Sequence, residues 1–314
     1  VIKINSLLQR QELGSTAKAP RWAVAFKYPP EKKESRVVDI VVQVGRTGVL
    51  TPKVIVEPVR LAGTTVSAAT LHNQDNIDRL DLRIGDTVLL QKAGEIIPEV
   101  LSVNKEKRPD NTRPFVLPSL CPECGGPVER DADGVALRCT NPDCPAQRLR
   151  NIAHFASRDA MDIEGLGISV CESLIGSGLV SSAADLYYLE KDAVAALDRM
   201  GEKSAANLLS ALEKSKEAGL ARLLCAFGIR QVGQKAAKVL AARFGTLDAL
   251  MAATQEELTA IPDIGGVTAG FILDWFSKPQ SRQLIERLRQ AGLSFESREV
   301  VQDSRFAGMS FVLT

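Results

Sequence analysis

Ile163-Glu164-Gly165-Leu166-Gly167 is the first of four stretches in which an apolar residue stands directly before a glycine. The others close on Met200-Gly201, Val232-Gly233 and Ile264-Gly265, so successive glycines are 34, 32 and 32 residues apart. Four residues before each glycine stands Ile163, Leu197, Ile229 or Ile261. Four residues after it stands a small side chain, Cys171, Ala205, Ala237 or Ala269, and seven after it Leu174, Leu208, Leu240 or Ile272. A fixed period of this size marks a repeated supersecondary unit. The +4 and +7 positions share one face of a helix starting near the glycine. Each copy therefore reads as an apolar anchor, a glycine turn and a second helix whose small residue lets it pack closely.

Glycine at such a turn permits a positive φ and removes the Cβ that would hold another backbone away. The unpaired N–H groups of the following helix then point outward beside it, with the positive end of the helix dipole behind them. Such a turn can hold a phosphate without a cationic side chain. The plainer alternative is a run of packed αα-hairpins in which glycine only makes the corner; four copies in register favour phosphate binding. The turns resemble helix-hairpin-helix motifs, which hold DNA by its backbone regardless of sequence. The first copy has both family glycines, Gly165 and Gly167, while Arg199, Gln231 and Asp263 replace the first glycine elsewhere. Asp263 would repel a phosphate if it pointed inward. The resemblance makes Gly165, Gly167, Gly201, Gly233 and Gly265 candidate DNA contacts, with Lys203, Arg230 and Lys235 the nearby cations. The alternative for each cation is an ordinary solvated face.

N-terminal to the repeats, Cys121-Pro122-Glu123-Cys124 is followed after 14 residues by Cys139, and four residues separate Cys139 from Cys144. Two close cysteine pairs in a turn-rich segment suit tetrahedral zinc. Disulfides or free thiols are the competing reading, and disulfides are disfavoured by the lack of a visible secretory signal. Four sulfur ligands leave no open position, so the zinc is expected to be structural. Cys171 and Cys225 fall in helical apolar patterns and are expected in the core. Arg148 and Arg150, just past the last ligand, could brace the metal site or touch DNA.

From about Lys32 to Val103, short β-rich runs alternate with turns at Gly45, Gly48, Gly63, Gly85 and Gly94, which predicts a small barrel. Val44-Gly45-Arg46-Thr47-Gly48 is the barrel segment expected to meet DNA, Arg46 at a groove or phosphate and Thr47 by hydrogen bonding; an ordinary hairpin with an exposed arginine is the alternative. Residues 104–118, charged and proline-bearing, read as a linker. In Trp22-Ala23-Val24-Ala25-Phe26-Lys27-Tyr28, alternation puts Trp22, Val24, Phe26 and Tyr28 on one face, expected to bury itself in a core. The opposite face leaves room for a flat ligand, with Lys27 at its end.

Val1-Ile2-Lys3-Ile4 and Trp22 to Pro30 resemble the last two nucleotidyltransferase motifs of NAD-dependent DNA ligases. The resemblance runs through the chain in that family's order. It implies a multidomain α+β protein: the edge of an adenylation domain (1–30), an OB-fold barrel (31–117), a small four-cysteine zinc module (118–147), an all-α helix-hairpin-helix array (148–300) and the opening strand of a BRCT domain (301–314, from Phe306-Ala307-Gly308). It implies NAD, magnesium or manganese, and structural zinc as cofactors, and places Lys3 and Lys27 against the adenylyl group and its phosphate. The family's nucleophilic lysine lies in a Lys-x-Asp-Gly motif, which does not occur here, so no catalytic residue is expected within these residues. The implied activity is sealing of nicks in duplex DNA, in a cytoplasmic, nucleoid-associated bacterial monomer. Absence of an initiator methionine and an ending that reads as mid-strand suggest a piece of a longer protein. His72 is expected to be a structural hydrogen-bonder.

Composition constrains the partner less. Net charge is +1, but residues 1–118 carry 18 Lys/Arg against 13 Asp/Glu, whereas 148–300 carry 18 against 19. DNA affinity in the repeats must therefore come from aimed amides and local cations, while the front half suits a polyanion by charge. No run is apolar enough to suggest a membrane span. Two rival readings are a non-catalytic DNA-binding protein or repair-nuclease subunit, and a helical protein-interaction array.

Overall fold

The computed structural model describes residues 1–16, 19–27, 29–94, 96–110, 112–131 and 134–297. Its first element, β1 (Ile2–Lys3), leads through helix α1 (Leu7–Leu13) to β2 (Ala23–Val24). The two short strands are antiparallel, Ile2 opposite Val24 and Lys3 opposite Ala23. Arg10 braces this ladder: its Nε donates to the Ile4 carbonyl at 2.6 Å and its guanidinium lies 4.6 Å from the Trp22 ring centroid. The bulky face expected in a core is not buried. Val24 and Phe26 are each 63% exposed.

The barrel is built from β3 (Lys33–Val44), β4 (Leu50–Leu61), β5 (Thr64–Thr70), β6 (Thr87–Ala93) and β7 (Ile97–Asn104), with helix α2 (Gln74–Leu80) between the third and fourth of these strands. The sheet closes in the order β3-β4-β5-β7-β6, and β5 meets β7 in parallel at Thr70 and Glu99. Five strands in this order with a helix after the third make an OB-fold. Inward residues alternate along the strands, and Val37, Val54, Val56, Leu61, Val88 and Leu90 form the core with Ile77 and Leu80 of α2. Full burial of each such side chain contributes about 1.5–3 kcal/mol.

Residues 104–118 are not a free linker. A 3-10 turn at Lys105–Lys107 delivers Arg108 to the fully buried Asp86 (Nε to Oδ1, 2.8 Å) and to Asp81 (Nη1 to Oδ2, 2.8 Å). Beyond it, Gln74 accepts from the Leu117 amide at 2.7 Å and donates to the Phe115 carbonyl at 3.0 Å. The charge that made the segment read as solvated is what ties it down.

By internal contacts the chain divides into Val1–Gln43 with Thr51–Leu117, and Val44–Leu50 with the residues from Pro118 onward. The β3–β4 connection thus belongs with the second unit. That unit begins with the hairpin β8 (Val128–Arg130) and β9 (Leu137–Cys139). The helices follow: α3 (Pro145–Ala156), α4 (Ile168–Gly176), α5 (Lys191–Ala195), α6 (Glu202–Ser215), α7 (Leu220–Ala226), α8 (Gln234–Phe244), α9 (Leu247–Met251), α10 (Gln255–Thr259), α11 (Gly266–Ser277) and α12 (Pro279–Gln290). One apolar cluster runs through them and includes Cys171 and Cys225. The BRCT-like stretch, residues 301–314, lies outside the described residues, as does Tyr28.

Candidate nucleic-acid interface

The four corners are built alike. In each, the carbonyl of the first residue accepts from the amide of the fourth: Ile163 from Leu166 (3.3 Å), Leu197 from Met200, Ile229 from Val232 and Ile261 from Ile264 (3.1 Å each). The third residue is left-handed, with φ of 85° at Gly165, 60° at Arg199, 63° at Gln231 and 69° at Asp263. This is what a type II turn demands of its third position. The expected positive φ therefore sits two residues before the helix-capping glycine. Gly167, Gly201, Gly233 and Gly265 themselves have negative φ and extended backbone. Three corners hold a non-glycine residue in the left-handed region, at a cost of about 1–2 kcal/mol apiece. Neighbours secure two of them: Gln231 accepts from Thr268 Oγ1 at 2.7 Å, and Asp263 pairs with Lys235 at 2.5 Å.

The helices after these corners, α4, α6, α8 and α11, begin at the four glycines, and none has a side-chain cap. By contrast, α9 and α10 are capped by the hydroxyls of Thr246 and Thr254. Among the described residues no protein acceptor meets the first-turn amides of Glu202, Lys203 and Ser204, or those of Gln234, Lys235 and Ala236. The same holds for Ile168 and Ser169 and for Gly266, Val267 and Thr268. A Cβ built on any of the four cap glycines, or on Gly165, meets nothing within 4 Å. Beneath each corner the +4 and +7 side chains are sealed into the core, from Cys171 and Leu174 to Ala269 and Ile272. Packing holds the helix from below, and its amino end opens to solvent.

The cations differ. Lys203 is exposed on the first turn of α6 and pairs with no carboxylate among the described residues. Lys235 instead neutralises Asp263, which removes the repulsion expected at the fourth corner. Arg230 is held by Asp131 (Nη2 to Oδ2, 3.2 Å) and lies 4.4 Å from the Phe271 ring centroid. Arg46 is also engaged: its Nη1 donates to the Gly228 carbonyl at 2.7 Å, so it is half-buried in its own unit. Thr47 offers its carbonyl to Arg138.

Gly48 and Gly228 make this docking possible. Gly48 (φ 82°) packs where a Cβ would stand 2.5 Å from the Cys139 carbonyl oxygen, and Gly228 (φ 64°) where one would stand 2.1 Å from Arg46 Nη1. Beside them His154 Nε2 bonds the Cys225 carbonyl at 2.9 Å, and burial pushes the imidazole below its usual range. His72, in the other unit, is exposed, and its amide donates to Thr70 Oγ1 at 3.2 Å.

The four cysteines converge. All four sulfurs lie within 4.8 Å of one another, with Cys121 and Cys144 3.9 Å apart and Cys124 and Cys139 3.6 Å apart. A tetrahedron with Zn–S near 2.3 Å separates sulfurs by about 3.8 Å. The Gly126 amide donates to Cys124 Sγ at 3.4 Å and, with the neighbouring side chains, brings that thiol down to about 7, whereas burial pushes the Cys139 thiol up to about 12 and raises Cys144 as well. Arg148 lies 3.9 Å from Asp143 beside this module. Lys3 lies on β1 and Lys27 three residues past β2, both exposed.

Comparison with known proteins matches the segments in order. Residues 1–31 match the NAD-dependent DNA ligase adenylation domain, 34–112 its OB-fold domain and 121–146 its C4 zinc finger domain. Residues 157–214 match a SAM-like helix-hairpin-helix tandem and 222–285 a helix-hairpin-helix motif. DNA ligases of Heliobacterium modesticaldum (56% identity), Carboxydothermus hydrogenoformans (54%) and Thermoanaerobacter sp. (52%) align with all of this chain. The chain belongs to the NAD-dependent DNA ligase family. It spans about half the length of the curated ligases it matches: 47%, 47% and 48% of these three. No described helix is long and apolar enough to cross a membrane. The ligase resemblance leaves unremarked the residues that hold the β3–β4 connection, Gly228, Asp131 and Arg138. Their signal is a fold-level contact, such as that of Arg46 with a carbonyl 182 positions away, which no spacing rule encodes.

Proposed function

We propose that this chain is the DNA-gripping portion of a bacterial NAD-dependent ligase that seals nicks in duplex DNA. In the reaction implied by the family, a lysine takes AMP from NAD and passes it to the 5′-phosphate at the nick, and the 3′-hydroxyl then displaces AMP with magnesium or manganese assisting. Lys3 and Lys27 serve the adenylyl group and its phosphate, where a compact ammonium stabilises charge developing during phosphoryl transfer. The corner glycines with Lys203 grip the backbone, and Arg230, Lys235, Arg46 and Thr47 flank that surface. Zinc is structural, the protein acts as a cytoplasmic monomer at the nucleoid, and binding is sequence-independent.

The observation that carries this reading is the set of four uncapped, outward helix starts. A helical array for protein contacts has no need of bare amides at every repeat. Incubated with NAD and magnesium, the 314-residue chain is expected to form no covalent AMP adduct, since it has no Lys-x-Asp-Gly. It is expected to bind unrelated nicked duplexes alike, with affinity falling as salt rises. An adduct on this chain, or strong preference between duplex sequences, would overturn the assignment.

A further inference from the structure

Two arginines converge on Asp131. Arg138 grips it with both arms of its fork, Nε to Oδ1 at 2.9 Å and Nη2 to Oδ2 at 2.6 Å, while Arg230 reaches Oδ2 at 3.2 Å. Asp131 and Arg138 are sheltered, their side chains 14% and 16% exposed, unlike the solvated Lys235–Asp263 pair. Arg138 directly precedes the metal ligand Cys139, whose own amide donates to the Gly48 carbonyl at 2.9 Å. At the other end, Arg230 is the second residue of the third corner's turn and lies over Phe271 of α11. The third and fourth corners are joined through Gln231 and Thr268. Unbroken contacts thus lead from a zinc-binding sulfur's own strand to two of the four corners.

We infer that Asp131 is a positioning residue that couples the zinc module to the third and fourth corners. The metal fixes Cys139, and with it the strand that carries Arg138. The shared carboxylate then fixes Arg230 and, through it, the turn Ile229–Val232 that aims the amides of α8. Where this bears on DNA affinity it rests on the nucleic-acid reading above, but the coupling itself does not. The sign of the effect separates positioning from plain charge. Removing an anion beside a phosphate-binding surface should tighten binding by electrostatics alone, whereas loosening an aimed corner should weaken it.

The test is amide hydrogen exchange on the full chain carrying Asp131→Asn, with zinc content measured. Exchange at the Val232 and Ala237 amides, which bond the Ile229 and Gly233 carbonyls, is expected to speed about tenfold, as for groups in one salt-bridge network. Exchange at the first corner (163–169) should not change, nicked-duplex affinity should fall several-fold, and Asp131→Glu should restore both. Should Asp131→Asn lose zinc, Arg230→Gln, remote from the metal, should reproduce the exchange change with zinc retained. Unchanged exchange at Val232 and Ala237 with zinc in place overturns the coupling, as does tighter duplex binding by Asp131→Asn. If the parent chain binds no duplex, the nucleic-acid reading fails and exchange alone decides the coupling.

Discussion

Chains carrying Gly201→Ala or Gly233→Ala should bind nicked duplex at least about tenfold more weakly than the parent, hydrogen bonds to a charged group being worth about 1.5–3 kcal/mol. They should nevertheless melt only a few degrees lower, since about 1 kcal/mol shifts a unit of this size by about 2–4 °C. Both glycines have an extended backbone that alanine adopts freely, and an added methyl meets nothing within 4 Å of either. Losing glycine at an N-cap costs the free protein about 1 kcal/mol. In the complex that same methyl stands where a phosphate must approach the amides of Glu202 and Lys203, or of Gln234 and Lys235. An amide carries no net charge, so the steepness of the salt dependence should hardly change. Lys203→Ala should instead reduce the slope of log affinity against log salt by about 0.9. Alanine variants with parent-like affinity would remove the corners from the interface.

Zinc removal should act on stability far more strongly than the glycine changes act on binding. Among the described residues of 121–146, the buried side chains are Cys121, Cys139 and Cys144, so this stretch has no apolar core beyond its ligands. Its strands β8 and β9 pair over three positions only. Structural zinc supplies about 10–16 kcal/mol of apparent binding free energy at neutral pH, far more than three rows of ladder contribute. Chelation with verified metal loss should therefore abolish amide protection throughout the module. The Gly48–Cys139 contact should go with it, since it depends on the position of β9, while the barrel keeps its protection. Unchanged circular dichroism and exchange after zinc loss would contradict this.

Much of the fold and part of the site were legible in the sequence, for physical reasons that can be named. The +4 and +7 positions of each repeat must face the core because helical periodicity leaves them no alternative. All eight of these side chains are buried. The cysteine spacing was equally decisive, since it fixes a ligand set by chemistry. The left-handed residue was misplaced because Arg199, Gln231 and Asp263 do not advertise a positive φ; glycine shows it only at Gly165. Arg46 was expected at DNA and is found against the Gly228 carbonyl, because side-chain type tells what an arginine can bind and not what stands beside it. Residues 104–118 read as a linker because Arg108 looks solvated until Asp81 and Asp86 are brought to it by the barrel. Alternation through Trp22 to Tyr28 predicts a buried face, but the strand β2 ends at Val24, and Val24 and Phe26 are exposed.

The most direct test of the account is exchange of individual amides in the chain with and without nicked duplex. The first-turn amides at 202–204 and 234–236, which have no protein acceptor among the described residues, should gain protection on binding, more than those of the side-chain-capped helices α9 and α10. Protection confined to other surfaces, with these amides exchanging as fast as in the free chain, would contradict it.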